Sequence, residues 1–584
     1  MFHFCLAAGI GKRVGFTTAE MMPIAPDTWR GFSRSRRIRE AVTFWGENGG
    51  GIPTIVLLMY VVKMILFAGV GLLVIGLATP AAGGLGSFDQ WWSSPIFFQK
   101  AVVWALLFEI LGLGCSFGPM TQRTDPMLGG VLYFMRPGMV RLPPWPQIPG
   151  TKGATRTPLD VGLYALVLAC GVFALGMQGH GAGGERALHW WVLLPLVVSL
   201  AVLGFRDAIA FLAARSEHYW VLLIILMFPF PQSMAGAQVM TCIVWWGASL
   251  SKMNLHFPSV VAVMMSNSPI HPWKPFRRSL FRNYPNDMRP SKIATAFAHG
   301  GTVIEAGVPF ILLFSHGWVT YVAVAVIVVF HFHIIGMFPM GIPGEWNLMM
   351  IVSAIVAFGG NADLGPSDIR SPWLIAVLCI SGAMVLLGNL FPRYVSFLVS
   401  MRYYAGNWAA GMWCFRGDSE SKLGAIKKLS GSAHEQLVAR YPGVDLTVIE
   451  GKQVAFRSMH PQGRALHGLI GRAVDDPLQY TCVDGEVTAG PILGWNFGDG
   501  HLHDEQLLAY IQECCQFEPG ELRVILLESQ PLHTWTQRYR IVDAATGLVE
   551  TGYVKDRELA AAQPWLNEEM VIPVYDVVRH GAAR

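Results

Sequence analysis

Charge is scarce in this 584-residue sequence: Asp, Glu, Lys and Arg make up 14% of it, against 53% apolar residues. Soluble globular domains carry about 25% charge. With a mean hydropathy of +0.41, the composition excludes an ordinary soluble protein, a coiled coil and a disordered chain, and it points to a membrane protein. Cysteine is also sparse. The nine (Cys5, Cys115, Cys170, Cys242, Cys379, Cys414, Cys482, Cys514 and Cys515) are odd in number and lack CxxC spacing, which supports neither a disulfide framework nor a zinc site and leaves buried thiols as the expectation. A cleavable signal is not evident, because Lys12 and Arg13 follow the first apolar stretch instead of preceding it, so the first membrane helix is expected to direct targeting. Repeats and low-complexity tracts are absent as well.

The charge that is present is unevenly placed. Through Arg402 there are 27 basic against 16 acidic residues, and after it 16 against 23. The basic excess therefore belongs to the apolar part, as loop charge facing anionic cytoplasmic lipid and not a nucleic-acid surface.

Four segments follow. Residues 1–51 form an N-terminal basic arm with Arg30, Arg34, Arg36, Arg37 and Arg39, placed in the cytoplasm by the positive-inside rule. Residues 52–392 form a transmembrane bundle of apolar runs: Ile52–Thr79, Ile96–Phe117, Leu159–Met177, Trp190–Phe205, Ala296–Phe314, Trp318–Met340, Trp346–Gly359 and Trp373–Phe391. The stretch Tyr219–Leu250 is interrupted at Phe228-Pro229-Phe230-Pro231 and forms one crossing or two, giving about nine or ten in all. Ten leaves the basic loop Ser251–Lys292 and the C-terminal domain both cytoplasmic. Residues 393–440 read as an interfacial segment (Met401–Phe415) and a charged linking helix (Ser419–Arg440). Residues 441–584 read as a small soluble α+β domain, with strands at Leu446–Ile449, Leu522–Leu527 and Tyr539–Val542 and turns at Asp484-Gly485 and Thr546-Gly547. The fold class is thus mainly α: a polytopic membrane helix bundle with a soluble α+β tail.

Ionisable residues inside apolar runs are costly and mark candidate functional positions. Here they are Lys63, Glu109, His299, Glu305, His331 and His333. Lys63 can snorkel or pair with Glu109. Glu305, among small neighbours, can serve an inter-helix hydrogen bond or chemistry. His331 and His333 are two apart, so they occupy different helix faces and make a poor metal pair. In the tail, Asp499, His501 and His503 could bind a divalent ion, or Asp504 and Glu505 could simply open a helix. His460 and His467, beside Arg457 and Arg464, could meet phosphate head groups or lie on a solvated basic face.

The most informative region pairs Glu217-His218-Tyr219-Trp220 with Trp246-Gly247-Ala248-Ser249-Leu250-Ser251-Lys252-Met253 about thirty residues later. Together with Ile304-Glu305-Ala306-Gly307-Val308-Pro309 and Ile335-Gly336-Met337-Phe338-Pro339, it resembles the vitamin-K-dependent γ-glutamyl carboxylase superfamily, whose bacterial members carry the horizontally transferred transmembrane (HTTM) domain. The whole chain also resembles an actinobacterial transmembrane family. The carboxylase resemblance implies a lysine that takes a proton from a reduced quinone. Lys252 stands at that position, and His218 stands where the family's histidine follows an asparagine. Glu217 replaces the asparagine and would keep Lys252 charged if the two met.

The expected function is a quinone- or lipid-dependent enzyme of the cell envelope in the cell membrane. Lys252, His218, Glu217 and Glu305 would be catalytic, and His331, His333 and Trp246 would contact a reduced quinone or bound lipid. The rival reading is a noncatalytic lipid-binding or scaffold subunit of a membrane protein complex. A transporter ranks last, since only one broken helix is evident.

Overall fold

Helix starts are written into the sequence as capping residues and prolines. The computed structural model describes residues 16, 22–80, 87–118, 129–181, 186–337, 344–403, 405–440, 443, 445–495, 497–498 and 500–580. Ser33 accepts from the Arg36 backbone and opens α1 (Arg34–Asn48). The apolar helix α2 (Thr54–Ala78) follows. Ser94 and Pro95 open α3 (Pro95–Ile110), and a Thr157/Asp160 capping box opens α4 (Pro158–Gly176). Then come α5 (Trp190–Arg206), α6 (Ser216–Ile225), α7 (Gln232–Lys252), α8 (Phe257–Asn267), a hairpin of β1 (Phe281–Asn283) and β2 (Asp287–Pro290), α9 (Lys292–Phe314), α10 (Trp318–Gly336), α11 (Gly344–Ser353) and α12 (Pro372–Leu390).

Five helices among the described residues, α2, α4, α9, α10 and α12, are long and apolar enough to cross a membrane. Their outer faces expose large apolar side chains such as Leu77, Val303, Trp318 and Trp373, as a lipid-facing surface requires. In contrast, α3 is buried on nearly every side. The runs at Trp190–Phe205 and Trp346–Gly359 fold into the shorter helices α5 and α11, so a count of nine or ten crossings does not follow from helix length. At Tyr219–Leu250, α6 and α7 are separate helices around Pro229 and Pro231, which lack the N–H a continuous helix needs.

The C-terminal domain is a six-stranded antiparallel sheet of β3 (Ala410–Arg416), β4 (Tyr480–Asp484), β5 (Leu522–Leu527), β6 (Thr536–Asp543), β7 (Gly547–Lys555) and β8 (Tyr575–Arg579), in the order β4-β3-β5-β6-β7-β8. Its helices are α13 (Thr447–Met459), α14 (Pro461–Ala473), α15 (Gly485–Leu493), α16 (Glu505–Cys515) and α17 (Asp556–Ala561). Alternation along the strands splits the core. Ile525 and Leu527 join Leu466 and Ile470 of α14, while Val524 and Leu526 join Leu507 and Ile511 of α16 and the main bundle core.

Three sequence expectations change. The segment read as interfacial contributes β3, the strand between β4 and β5. The expected linking helix is a 3-10 turn at Ser419–Ala425 and a short helix at Ala433–Arg440. Leu446–Ile449 is the start of α13, not a strand, because Val448, Ala455 and Met459 pack as one apolar face against Ile38, Val42 and Trp45 of α1. Arm and C-terminal domain therefore lie at the same end of the bundle.

Candidate functional site

Along α9, Ala298, Thr302, Glu305, Val308 and Leu312 form the buried face, which a spacing of three and four residues places on one side of a helix. That face packs on α7, whose last residue is Lys252. Gly247 brings this end of α7 close to the following chain, since a Cβ there would stand 2.7 Å from Met401. The result is an ion pair: Lys252 Nζ lies 2.5 Å from Glu305 Oε2, with the side chains 8% and 4% exposed. Burying two charges is costly, and their short charge-assisted hydrogen bond offsets that cost.

The pair faces a cavity of about 100 Å³ lined by residues of α7, α8, α9, α10 and α11, with Trp245, Phe257, Trp346 and Tyr403 as aromatic walls. It has room for several water molecules or the head of a larger molecule. Its rim includes exposed Phe297 and partly buried Gly301, Phe330 and Ile334, on the outer faces of two helices with membrane-crossing length.

His331 and His333 both line this cavity. His331 Nδ1 donates to Asn347 Oδ1 at 2.9 Å, and Trp245 Nε1 donates to His331 Nε2 at 2.9 Å. Both ring nitrogens are thus engaged, in a neutral tautomer. His333 is half-buried and lies 6.4 Å from the His271 ring. Trp246 is elsewhere: its indole donates to Ala306 O at 3.1 Å and packs on Phe310 at 4.6 Å. The tryptophan of α7 that lines the cavity is its neighbour, Trp245.

His218 and Glu217 belong to an adjoining polar cluster. Trp346 Nε1 donates to His218 Nδ1 at 3.3 Å, placing the histidine behind the cavity wall. Glu217 accepts from Tyr403 OH at 3.2 Å and faces Arg215 at 3.7 Å. The carboxylate that meets Lys252 is therefore Glu305 and not Glu217. Arg215 also faces Glu109 at 3.5 Å, and Glu345 accepts from the Cys115 backbone at 2.9 Å. Lys63 donates to the carbonyls of Gly114, at 3.0 Å, and Phe117, while Glu109 turns to Arg215. Arg215, Glu345, Asn347, Trp346 and Tyr403 were not singled out from sequence. Only the Glu345-Trp346-Asn347 tripeptide, polar groups at the start of an apolar run, carried a signal.

The family described as transmembrane protein of unknown function (DUF3556) matches residues 14–577. The chain belongs to that family. In this DUF3556 member the match spans bundle and sheet domain alike. No curated protein and no solved structure matches the chain.

In the tail, the described residues lie among ion pairs and a helix cap. Asp499 lies outside the described residues. His501 Nε2 is 3.8 Å from Glu528 Oε2, and Arg540 binds both Glu528 and Glu505. Burial would raise Glu528, but His501 and Arg540 hold it down at about 2. His503 is buried, and among the described residues no three His, Cys, Asp or Glu side chains gather as metal ligands. Asp504 accepts from the Gln506 backbone at 3.0 Å and caps α16.

His460, His467, Arg457 and Arg464 are all buried, so they form neither a head-group site nor a solvated basic face. Arg464 donates to the carbonyls of Leu559, Ala562 and Met459 at 2.8, 3.0 and 3.0 Å. Arg457 binds Asp484 and Glu486. Burial pushes His460 down to about 3 and Arg464 down to about 9.

Proposed function

We propose that this family member binds an apolar molecule with a small polar head, a quinone or a lipid, whose head occupies the cavity beside Lys252 and Glu305. The observation that carries this is a buried ion pair facing a cavity whose rim lies on the lipid-facing surfaces of α9 and α10. Polar groups held at the end of an apolar pocket orient such ligands. The likeness of the Lys252 and His218 motifs to the carboxylase and HTTM superfamily supports a quinone.

The pair also constrains the chemistry. A lysine tied to a carboxylate is an ammonium and therefore a donor. In this reading Lys252 donates a hydrogen bond or a proton to an oxygen of the head, and Glu305 balances the charge. A free-amine base acting on a reduced quinone would first have to lose its contact with Glu305. A second reading, binding without chemistry, is favoured by the engaged nitrogens of His331 and by His218 lying behind Trp346. Placement of both arm and sheet domain in the cytoplasm is supported by the packing of α1 on α13 and by the basic loop between α8 and α9.

Mass spectrometry of organic-solvent extracts from purified wild type and Lys252→Ala tests the proposal. One compound enriched over bulk lipid in wild type and depleted in the variant supports it. Equal amounts of bulk lipid alone in both refute it. A change in the compound's oxidation state on turnover separates enzyme from binder.

A further inference from the structure

The soluble domain carries a second chemical feature, independent of the membrane cavity. β3 and β4 pair antiparallel with Cys414 directly opposite Cys482. Directly opposed residues point to the same sheet face with Cα atoms about 4.5 to 5.5 Å apart, within the range a disulfide spans. The two thiols are hydrogen-bonded, with Sγ atoms 3.3 Å apart. Cys414 is buried against α14, whereas Cys482 is partly exposed on β4, at the end of the strand order.

A cation completes the setting. Arg34 of α1 acts on both sulfurs electrostatically, and its Nη2 is held 2.6 Å from His467 Nδ1. The hydrogen bond between the two sulfurs holds Cys482 below the ordinary thiol range against the effect of burial, and Arg34 adds to this. The same hydrogen bond, with burial, pushes Cys414 up. The partly exposed Cys482 therefore lies lower than the buried Cys414.

We infer that Cys414 and Cys482 form a peroxide-oxidisable dithiol, a two-electron modification site of the sheet domain. A low-lying, accessible thiol beside a resolving thiol is the arrangement of peroxide-sensing cysteines. The Cys482 thiolate attacks one peroxide oxygen, the O–O bond breaks, and Cys482 becomes a sulfenic acid as the departing oxygen takes a proton and leaves as water. The Cys414 sulfur then attacks the Cys482 sulfur, the S–O bond breaks, and the hydroxyl leaves with the Cys414 proton as a second water. Two thiols and one hydrogen peroxide give one disulfide and two waters, with both electrons coming from the sulfurs. A small dithiol reverses the step by exchange.

The test uses the full chain in detergent, reduced, desalted and exposed to hydrogen peroxide. Remaining thiols are then blocked with N-ethylmaleimide, and peptides are mapped without reductant. The expected result is a Cys414–Cys482 cross-linked peptide, with loss of two titratable thiols and recovery by dithiothreitol. In Cys414→Ser, dimedone is expected to capture Cys482 as the sulfenic acid, and in Cys482→Ser, Cys414 is expected to stay unreacted. Full maleimide labelling of both cysteines in peroxide-treated wild type would overturn the inference, as would a sulfinic acid at Cys482 with Cys414 still free.

Discussion

Lys252 Nζ, at the last residue of α7, lies 2.5 Å from Glu305 Oε2 in α9, so one buried contact ties two helices together and charges one wall of an apolar cavity. Both side chains are buried. Each is held by the other, and each becomes a liability when the other is removed.

Removing one partner is expected to cost about 3–5 kcal/mol, because the surviving charge is left buried and unpaired. Lys252→Met and Glu305→Gln should both lower the thermal midpoint in detergent. The double variant Lys252→Met/Glu305→Leu should recover most of that loss, since paired replacement by apolar groups is often close to neutral. A double-mutant cycle with no coupling between the two sites would show that the contact does not hold the helices.

Gly301 stands on the rim, where a Cβ would lie 3.3 Å from the Phe330 ring. Gly301→Leu is therefore expected to narrow the opening between α9 and α10 while leaving Lys252 and Glu305 in place. Retained ligand in solvent extracts should fall severalfold with an unchanged thermal midpoint in ligand-free protein. Undiminished ligand in that variant would place the entrance elsewhere.

His460 donates from Nδ1 to Phe456 O at 2.9 Å and is buried near Arg457 and Arg464, with its titration pushed down to about 3. An unfolded histidine titrates near 6.5, so between about 6.5 and 3 the unfolded state binds the extra proton. Stability from this residue is intact above pH 6.5 and falls as pH drops through that window. Histidine C2 hydrogen exchange should show no titration of His460 between pH 5 and 8, and His460→Gln should lessen the acid sensitivity of the sheet domain.

Arg464 binds carbonyls from both α13 and α17 with its planar fork. Arg464→Lys is expected to rescue little of the loss seen in Arg464→Ala, because a point charge cannot meet those acceptors together. Protease protection at residues 556–562 reports it. Equal protection in Lys and wild type would contradict the role of the fork.

How much of this was legible in the sequence follows from where each signal lives. Membrane character and most apolar helices follow from composition and runs. Lys252, Glu305, His331 and His333 stood out because ionisable groups in apolar runs are costly, and all four line one cavity. Trp245 and Trp246 are neighbours about 100° apart on a helix, and the contact of Trp245 with His331 of α10 distinguishes the one that faces the cavity. Arg215, Glu345 and Tyr403 were silent because their partners come from distant segments. β3 was misread because both of its faces are covered, so Ala410–Phe415 lacks the alternation that marks a half-buried strand. Leu446–Ile449 looked like a strand until α1 supplied the surface that makes α13 amphipathic.

The measurement that most directly tests the central claim is photolabelling of the purified full chain with a lipid-soluble quinone bearing a photoreactive tail, followed by peptide mapping. The account predicts saturable labelling concentrated on the cavity-lining parts of α9 and α10, between Phe297 and Met337, and lost in Gly301→Leu. Labelling spread evenly over the lipid-facing surfaces of α2, α4 and α12, with no saturable fraction on α9 or α10, would contradict it.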